Sequence, residues 1–440
     1  MAFDQESYLK ELYGALRDEP LEPSDPKYID FYEAGALTQA DPVAALATTI
    51  EWSGGSKQLF SGFRGTGKST ELRRLRQRLQ THGNTKVVLC DMADYLNLTT
   101  RVDISDFLIS AAGAFSEALE DESLLGKDMM KEGYWTRFWN FATRAKVELP
   151  DLPDLPGVGL KASLKADPSF RQEVQERMKG HLSALSNDVT RFMEECFKAL
   201  QKRHGGDLRV VVLFDSIERI RGTSLNADEV AASVENLFEG HSDKLDLPYM
   251  HVVYTVPPWL KIKSPGVAGL YDNSQQIPCV KVRNRDGSPC TAGLDALERL
   301  IRKRGDWERL LGDRASLDAL CVASGGYLRD LFRLLQALLR QARNRTLPVD
   351  AAARALAMDE IRNSYLPVSN QDALWLDRIR QSGSTQLEEG RRLHEPARFF
   401  DTHLILTYRN GDEWWSVHPL LEQHIEKQAG DCRARSASAD

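Results

Sequence analysis

The 440-residue chain lacks long apolar runs, and it has no excess of basic charge. It has no stretch of about 18 consecutive apolar residues, which excludes a protein that crosses a membrane with a helix. Its first residues also lack the apolar core of a secretory signal. Lysine and arginine total 57 against 64 aspartate and glutamate, a formal charge of −7. This balance argues against a surface coated in basic charge for nucleic acid. We expect no membrane partner, and DNA binding only through a local basic patch.

The cysteines show no metal or disulfide pattern. The six cysteines are scattered, with no C-x-x-C pair and no histidine pair at zinc spacing. Because thiols stay reduced in the cytoplasm, this usage predicts a cytoplasmic protein. Hydrophobic residues at 42% and charged residues at 28% are ordinary for a globular chain. A length of 440 residues predicts about three domains.

Strand-sized apolar runs alternate with helical stretches, as in α/β proteins with a parallel sheet. Helices are predicted after Asp41-Pro42, where proline takes the first helical position, and from Lys68 to about Thr81. From about residue 293 the pattern becomes all-helical. The predicted strands cover residues 58–61, 86–91, 208–215, 251–256 and 277–282.

One segment carries a specific chemical signal, the string G-F-R-G-T-G-K-S-T. It fits G-x-x-x-x-G-K-[ST] and lies between a predicted strand and a predicted helix, the context that a phosphate-binding P-loop requires. Its glycines let backbone N–H groups surround phosphates, and the helix N-terminus favours negative charge. Lys68 is expected at the β- and γ-phosphates, and the Ser69 hydroxyl at Mg²⁺. The predicted nucleotide-binding residues are Gly62, Phe63, Arg64, Gly65, Thr66, Gly67, Lys68, Ser69 and Thr70.

A second segment is a hydrophobic strand that ends in a carboxylate. Residues 209–215 (RVVVLFD) match the Walker B arrangement, in which Asp215 would hold the Mg²⁺ shell. The nearest following carboxylate is Glu218. It is a candidate for orienting the attacking water, and the alternative is a surface turn where it pairs with Arg219 or Arg221.

The string SGGYLRDL, residues 324–331, places two glycines between helices and Arg329 in the first turn of the second helix. It resembles the sensor-2 segment in the lid of AAA+ ATPases, above all the replication-initiator and origin-recognition ATPases. The resemblance implies that Arg329 reaches the γ-phosphate from the lid. The alternative is a surface arginine in a salt bridge. In the same family a polar sensor ends the next strand, which implies that role for Thr255, with an ordinary strand-end threonine as the alternative.

The C-terminal part combines helices with a predicted hairpin, since Asn410-Gly411 separates two alternating strands. This layout suggests a winged helix. The string Val417-His418-Pro419-Leu420-Leu421 resembles the Met-His-Asp-Leu motif of STAND switch ATPases, whose histidine contacts the ADP phosphate. In this chain Pro419 replaces the aspartate. An ordinary, partly buried histidine is the alternative for His418.

Taken together, residues 41–425 resemble the AAA+/STAND class of P-loop ATPases, in a bacterial form. The resemblance implies ATP and Mg²⁺ as cofactors. It also implies an α/β P-loop core, a parallel sheet with helices on both faces, that is followed by an all-helical lid and a winged-helix domain. The expected division is an N-terminal helical segment (1–40), the core (41–287, with a helical insertion at about 103–201), the lid (288–365), the winged helix (366–427) and a disordered tail (428–440).

The favoured function is a switch ATPase with a low hydrolysis rate, which couples nucleotide state to movement of the lid and winged helix. Its partner would be a protein effector on another chain, or a second copy in a homo-oligomer, in a bacterial defence or stress system. The alternative is a DNA-binding ATPase of the initiator or transposition-regulator type. In that alternative the winged helix would read DNA through the segment Glu395 to Asp401 and the hairpin at Arg409. DNA is not favoured, because this segment offers only Arg398, with His394, alongside the carboxylates of Glu395 and Asp401. An ATP-binding scaffold without hydrolysis is a third interpretation.

Overall fold

The computed structural model describes residues 3–33, 41–81, 83–126, 162, 165–167, 169, 171–172, 175–176, 180–223, 225–383, 394–410 and 412–437. The chain divides into two compact units. Unit 1 comprises Met1–Asp41, Gly62–Arg73 and Ile277–Asp440, and unit 2 comprises Pro42–Ser61 and Arg74–Gln276. Much of the predicted 103–201 insertion, including residues 127–161, lies outside the described residues.

A five-stranded sheet in the order β2-β3-β4-β1-β5 forms the centre of unit 2. The pairs β1–β4, β2–β3 and β3–β4 are parallel. The strands are β1 (Ser56–Gly62), β2 (Thr85–Asp91), β3 (Arg209–Asp215), β4 (His251–Val256) and β5 (Asn273–Ile277). Every residue of β4 is buried, as is every residue of β3 after Arg209. Such burial explains why both strands have nearly continuous apolar sequences.

These strands and their flanking helices confirm the predicted fold class, a P-loop α/β core followed by a helical lid. The strands predicted at 86–91, 208–215 and 251–256 agree with β2, β3 and β4 within one residue. The helix expected after Asp41 begins with Pro42 in its first position, where a missing N–H costs nothing. The helices of unit 2 are α2 (Pro42–Trp52), most of α3 (Lys68–Gln80), α4 (Ile104–Ala118), α5 (Leu182–His204), α6 (Ala227–Glu235) and α7 (Leu260–Lys263).

The prediction of a strand at 277–282 is wrong. The strand lies earlier, at Asn273–Ile277, and its sequence NSQQI is too polar to be recognised. Pro278 has no backbone N–H to continue a ladder. The next residues make single bonds instead, from Cys279 N to Thr407 O (3.0 Å) and from Val280 N to Gly326 O (3.2 Å).

Unit 1 is mainly helical around an apolar core that is rich in leucine. Leu9, Leu12 and Leu16, from the N-terminal helix and its end, join the core residues of the lid helices. The helices are α1 (Gln5–Ala15), the start of α3, α8 (Thr291–Arg302), α9 (Trp307–Leu311), α10 (Arg314–Ala323), α11 (Leu328–Ala342), α12 (Ala351–Asn363), α13 (Asn370–Ser382), α14 (His394–Asp401) and α15 (Glu422–Ala437). In the part of the chain that the structure describes, every helix is too short or too polar to cross a membrane.

The predicted hairpin is present as the antiparallel pair β6 (Ile405–Asn410) and β7 (Asp412–Val417). Gly411, which joins the strands, lies outside the described residues. The winged-helix interpretation of this region stays a prediction.

The prediction of a disordered tail from residue 428 is wrong for residues 428–437, because α15 continues to Ala437. The helix packs along α13. Ile425 and Ala429 are fully buried on it, and Arg433 reaches Asp377 at 2.6 Å. Few apolar residues carry this contact, which explains why the composition suggested disorder.

Candidate nucleotide-binding site

The P-loop follows β1 directly and runs into the first turn of α3, which begins at Lys68. Gly65 and Gly67 have φ angles of 88° and 95°, a conformation that favours glycine. The loop is closed by the Thr66 hydroxyl, which donates to the carbonyl of Phe63 at 2.8 Å. The first N–H groups of a helix have no intrahelical partner, so the start of α3 offers donors to an anion.

Lys68 folds back over this loop. Its ammonium donates to the carbonyls of Gly62 (2.9 Å) and Phe63 (2.8 Å), and the residue is only 3% exposed. The lysine is therefore held at the loop by loop carbonyls. A phosphate bound at the loop would lie next to the positive charge of the Lys68 ammonium.

Arg329 lies across the P-loop within unit 1. A Cβ placed on Gly65 would come within 2.7 Å of Arg329 Nε and 2.9 Å of its Cζ. The helix α11 begins at Leu328, which confirms the predicted position of Arg329 in a first helical turn. The neighbouring Tyr327 donates its hydroxyl hydrogen to the carbonyl of Arg64. The structure thus brings the predicted lid arginine and the predicted P-loop together.

Aromatic side chains surround the loop, and two of them, His403 and Phe400, were not predicted from the sequence. The imidazole of His403 stacks on Tyr327, with centroids 5.0 Å apart, and lies 5.6 Å from the ring of Phe63. Phe63 in turn stacks on Phe400 at 6.0 Å. Burial, with the positive charge of Arg329, lowers the pKa of His403 to about 3, so the imidazole is neutral near pH 7. Sequence offers no signal for His403, which comes from the loop after α14 and becomes a neighbour of Phe63 only by folding.

A carboxylate from the N-terminal segment was missed as well. Asp18 Oδ2 accepts a hydrogen bond of 2.6 Å from Arg329 Nε. Although burial disfavours the charged form of Arg329, the neighbouring Tyr327 and Asp18 raise its pKa. Arg329 therefore forms a salt bridge, as the alternative interpretation expected. The arginine nevertheless lies at the P-loop, as the lid interpretation expected.

His418 lies in a buried polar cluster of unit 1. Its Nε2 is 3.2 Å from Asp330 Oδ2, and both side chains are fully buried. Its Nδ1 accepts from the backbone N–H of Leu420 at 3.3 Å. Tyr365 and Arg333 donate to the same carboxylate at 2.5 and 2.9 Å. Burial raises the pKa of Asp330, but its contacts with His418, the Tyr365 hydroxyl and the Arg333 guanidinium outweigh burial and bring the pKa to about 2. A phosphate contact of His418 stays a prediction.

The remaining predicted residues lie together at the carboxyl edge of β3 and β4 in unit 2. Asp215 ends β3 and accepts from the N–H of Ser216 at 2.7 Å, and Ser216 adopts φ 69°. A 3₁₀ turn at Ile217–Arg219 then holds Glu218, which is 9% exposed and so is not on a surface turn. Thr255 Oγ1 accepts from Ile217 N (3.1 Å) and donates to Phe214 O (3.2 Å). Thr255 thereby fixes the turn that presents Asp215 and Glu218.

The metal prediction rests on Ser69 and Asp215, with phosphate oxygens as further ligands. Across the described ranges, the structure assembles no group of three or more histidine, cysteine, aspartate or glutamate side chains that could hold a metal. A P-loop site does not need such a group, because the phosphates supply ligands themselves. The Mg²⁺ assignment stays a prediction.

Comparison with known proteins gives a likeness to solved structures only. No protein-family model matches the sequence, and no curated protein sequence matches it. The Aeropyrum pernix ORC2 protein in its ADP form is 11% identical over 96% of this chain and 98% of that chain, with a TM-score of 0.44. Cdc6p from Pyrobaculum aerophilum is 13% identical over 89% and 92%, with a TM-score of 0.33. A structure of Drosophila ORC bound to DNA is 12% identical over 97% and 93%, with a TM-score of 0.41. Identities this low leave the function to be judged from the residues of the site.

Proposed function

We propose that the protein is an AAA+-type ATPase that binds ATP with Mg²⁺ and acts as a switch with slow turnover. One observation carries this proposal, namely that Arg329 lies across Gly65 of the P-loop. An arginine in this position is suited to distinguish a triphosphate from a diphosphate.

The P-loop residues fit an anionic ligand. Gly65 and Gly67 hold the backbone in the left-handed region, and Lys68 brings a positive charge to the carbonyls of the loop. We assign the backbone from Gly65 to Thr70 to the phosphates, and Ser69 with Asp215 to Mg²⁺. Bound Mg²⁺ would neutralise charge on the phosphates.

Hydrolysis would depend on Glu218, which we assign to orient the attacking water. Its support is burial at the carboxyl edge of β3, three residues after Asp215. Thr255 holds the intervening turn through Ile217 N. These residues belong to unit 2, and a joint role with the P-loop is part of the proposal.

The output of the switch would pass along α11. Arg329 and Asp330 are consecutive residues of this helix, and Asp330 contacts His418 directly after β7. A displacement of Arg329 would therefore be transmitted through Asp330 and His418 to the hairpin. We propose a protein effector or a second copy of the chain as the partner, in a cytoplasmic defence or stress system.

The DNA-binding alternative finds no support in α14. Arg398, the arginine of that helix, contacts the carboxylate of Asp372. Its charge is thereby offset within the protein, which weakens the attraction to phosphate.

Titration of a fluorescent ATP analogue tests the central claim. Lys68→Ala removes charge-assisted hydrogen bonds to phosphate, so the Kd for ATP should rise about 10- to 100-fold. Lys10→Ala is the matched control, since Lys10 is exposed and pairs with Glu6 on the same helix, α1. Equal affinity of wild type and Lys68→Ala would refute ATP binding by the P-loop.

A further inference from the structure

We propose that Asp18 is a positioning residue for Arg329 and sets the preference of the site for a triphosphate over a diphosphate. This inference rests on the proposed function, because it concerns the same nucleotide site. Asp18 carries no recognisable motif, and it lies 311 residues from Arg329 along the chain.

The contact uses one edge of the guanidinium. Asp18 Oδ2 accepts from Nε of Arg329 at 2.6 Å. Arginine carries five N–H donors in a rigid fork, four of them on the terminal nitrogens. Among the described residues, the hydrogen bond to Asp18 is the one that Arg329 makes with its side chain. The terminal nitrogens therefore stay available for a phosphate.

The orientation of this fork matters because Arg329 lies against the P-loop. Its Cβ, Nε and Cζ all approach Gly65, and its side chain is 26% exposed. An arginine side chain that is not held populates many rotamers. A carboxylate at Nε restricts these rotamers before the nucleotide binds, which favours a ligand that needs the remaining donors.

Asp18 itself is held in place by its own segment, residues 16–22, which we call the strap. Leu16 O accepts from Gln336 Nε2 of α11 at 3.1 Å. Leu21 N donates to Thr70 Oγ1 at 3.1 Å, and Pro20 O accepts from Arg73 at 2.6 Å. The strap is thus attached to the helix that carries Arg329 and to the helix that begins at the P-loop.

A loss of positioning should affect the two nucleotides differently. The terminal phosphate of ATP is the group that Arg329 is assigned to contact, and ADP lacks it. A variant at Asp18 should therefore weaken ATP binding and leave ADP binding nearly unchanged. A structural defect of the loop would weaken both.

The test measures the Kd of ATP and of ADP for each variant by calorimetric titration of the full chain. For Asp18→Asn we expect the ratio of the ADP Kd to the ATP Kd to fall about three- to fivefold, the size typical of a partly exposed ion pair. Asp18→Glu keeps the carboxylate and should recover most of the ratio. Glu19→Gln is the control, since the neighbouring Glu19 pairs with Arg17 and should leave the ratio unchanged.

A double variant distinguishes positioning from a general charge effect. Arg329→Ala should lower the ratio, and adding Asp18→Asn should lower it no further, because Asp18 acts through Arg329. An unchanged or higher ratio in Asp18→Asn would overturn the inference, with higher meaning that Asp18 competes with phosphate. If Lys68→Ala still raises the Kd for ATP in that case, the inference alone fails. If Lys68→Ala binds ATP as tightly as the wild type, the proposed function fails and the inference fails with it.

Discussion

The Nε2 atom of His418 lies 3.2 Å from Oδ2 of Asp330, and neither side chain is exposed to solvent. Asp330 is the next residue after Arg329, so the helix that reaches the P-loop is joined to the residue that follows β7 by a buried polar contact. Removing the negative charge of Asp330 weakens the buried hydrogen bonds of this cluster and takes away the ion-pair partner of Arg333, which is costly.

Replacing Asp330 by asparagine should therefore reduce the free energy of unfolding by about 3 kcal/mol. Asp318→Asn is the control, because Asp318 pairs with Arg314 at a more exposed site of the lid and should change it by less than about 1 kcal/mol. Urea denaturation compares the two variants. Equal losses of unfolding free energy in the two variants would show that the buried contact stabilises the protein no more than the exposed one.

The Gly65 position predicts a clash that Gly67 does not share. Both glycines have positive φ, so alanine at either costs about 1–2 kcal/mol of backbone strain. A Cβ at 65 also meets Arg329, whereas a Cβ at 67 has nothing within 4 Å. Gly65→Ala should thus lower thermal stability more than Gly67→Ala. Arg329→Ala should reduce this difference without abolishing it, because it removes Nε and Cζ but keeps the Cβ that lies 2.8 Å from the added methyl group. An undiminished difference in stability in the Arg329→Ala background would show that the clash with Arg329 is not its cause.

Thr255 gives a prediction about the turn after β3. Thr255→Val removes the oxygen that accepts from Ile217 N and leaves a buried N–H without its partner, at a cost of about 1–3 kcal/mol. Thr255→Ser keeps the hydroxyl and should cost clearly less. Chemical denaturation measures both, and equal stability of the valine and serine variants would contradict the assignment.

Glu218→Gln should leave the Kd for ATP unchanged and slow phosphate release about 100-fold, since a positioned base contributes at least this much. Glu229→Gln on α6 is the control, because Glu229 is exposed and faces Arg101. An unaffected turnover in Glu218→Gln would show that another group orients the attacking water.

The stability of unit 2 should depend on pH through His251. This residue is 1% exposed, and its Nδ1 shares a hydrogen bond of 2.9 Å with Ser56 Oγ. Burial, with the charge of Arg209, lowers its pKa to about 4. Between about pH 6.5 and 4 the unfolded chain binds a proton here that the folded chain does not, so stability falls as the pH falls through this range, by about 1.4 kcal/mol per pH unit.

His251→Gln should reduce the slope of stability against pH by about 1.4 kcal/mol per pH unit, the contribution of one proton. His424→Gln should leave the slope unchanged, because His424 is exposed on α15. Denaturation curves at pH 7, 6 and 5 measure the slope. Equal slopes for the two variants would mean that His251 titrates normally in the folded protein.

Local pattern was enough to predict part of this structure. The strands β3 and β4 and the start of α3 were predictable because continuous apolar runs and a glycine-rich turn are local signals. The position of Arg329 in a first helical turn was predictable for the same reason, since two glycines precede it.

The rest depends on contacts between distant residues. The edge strand β5 is polar, and α15 is held by a few buried side chains and Arg433, so neither has a recognisable period. Asp18 and His403 gain their neighbours only when segments far apart in sequence come together. The P-loop and Arg329 were therefore predictable from the sequence, whereas the side chains that contact them, Asp18 and His403, were not.

The hydrogen bond from Tyr327 to the carbonyl of Arg64 closes a separation of 263 residues. A ribosome adds about 5–20 residues per second, so roughly 13–50 s pass between synthesis of the loop and synthesis of this partner. During that interval the growing chain carries the P-loop motif without the tyrosine and arginine that pack on it. The P-loop can therefore reach its final form only after Tyr327 has been translated.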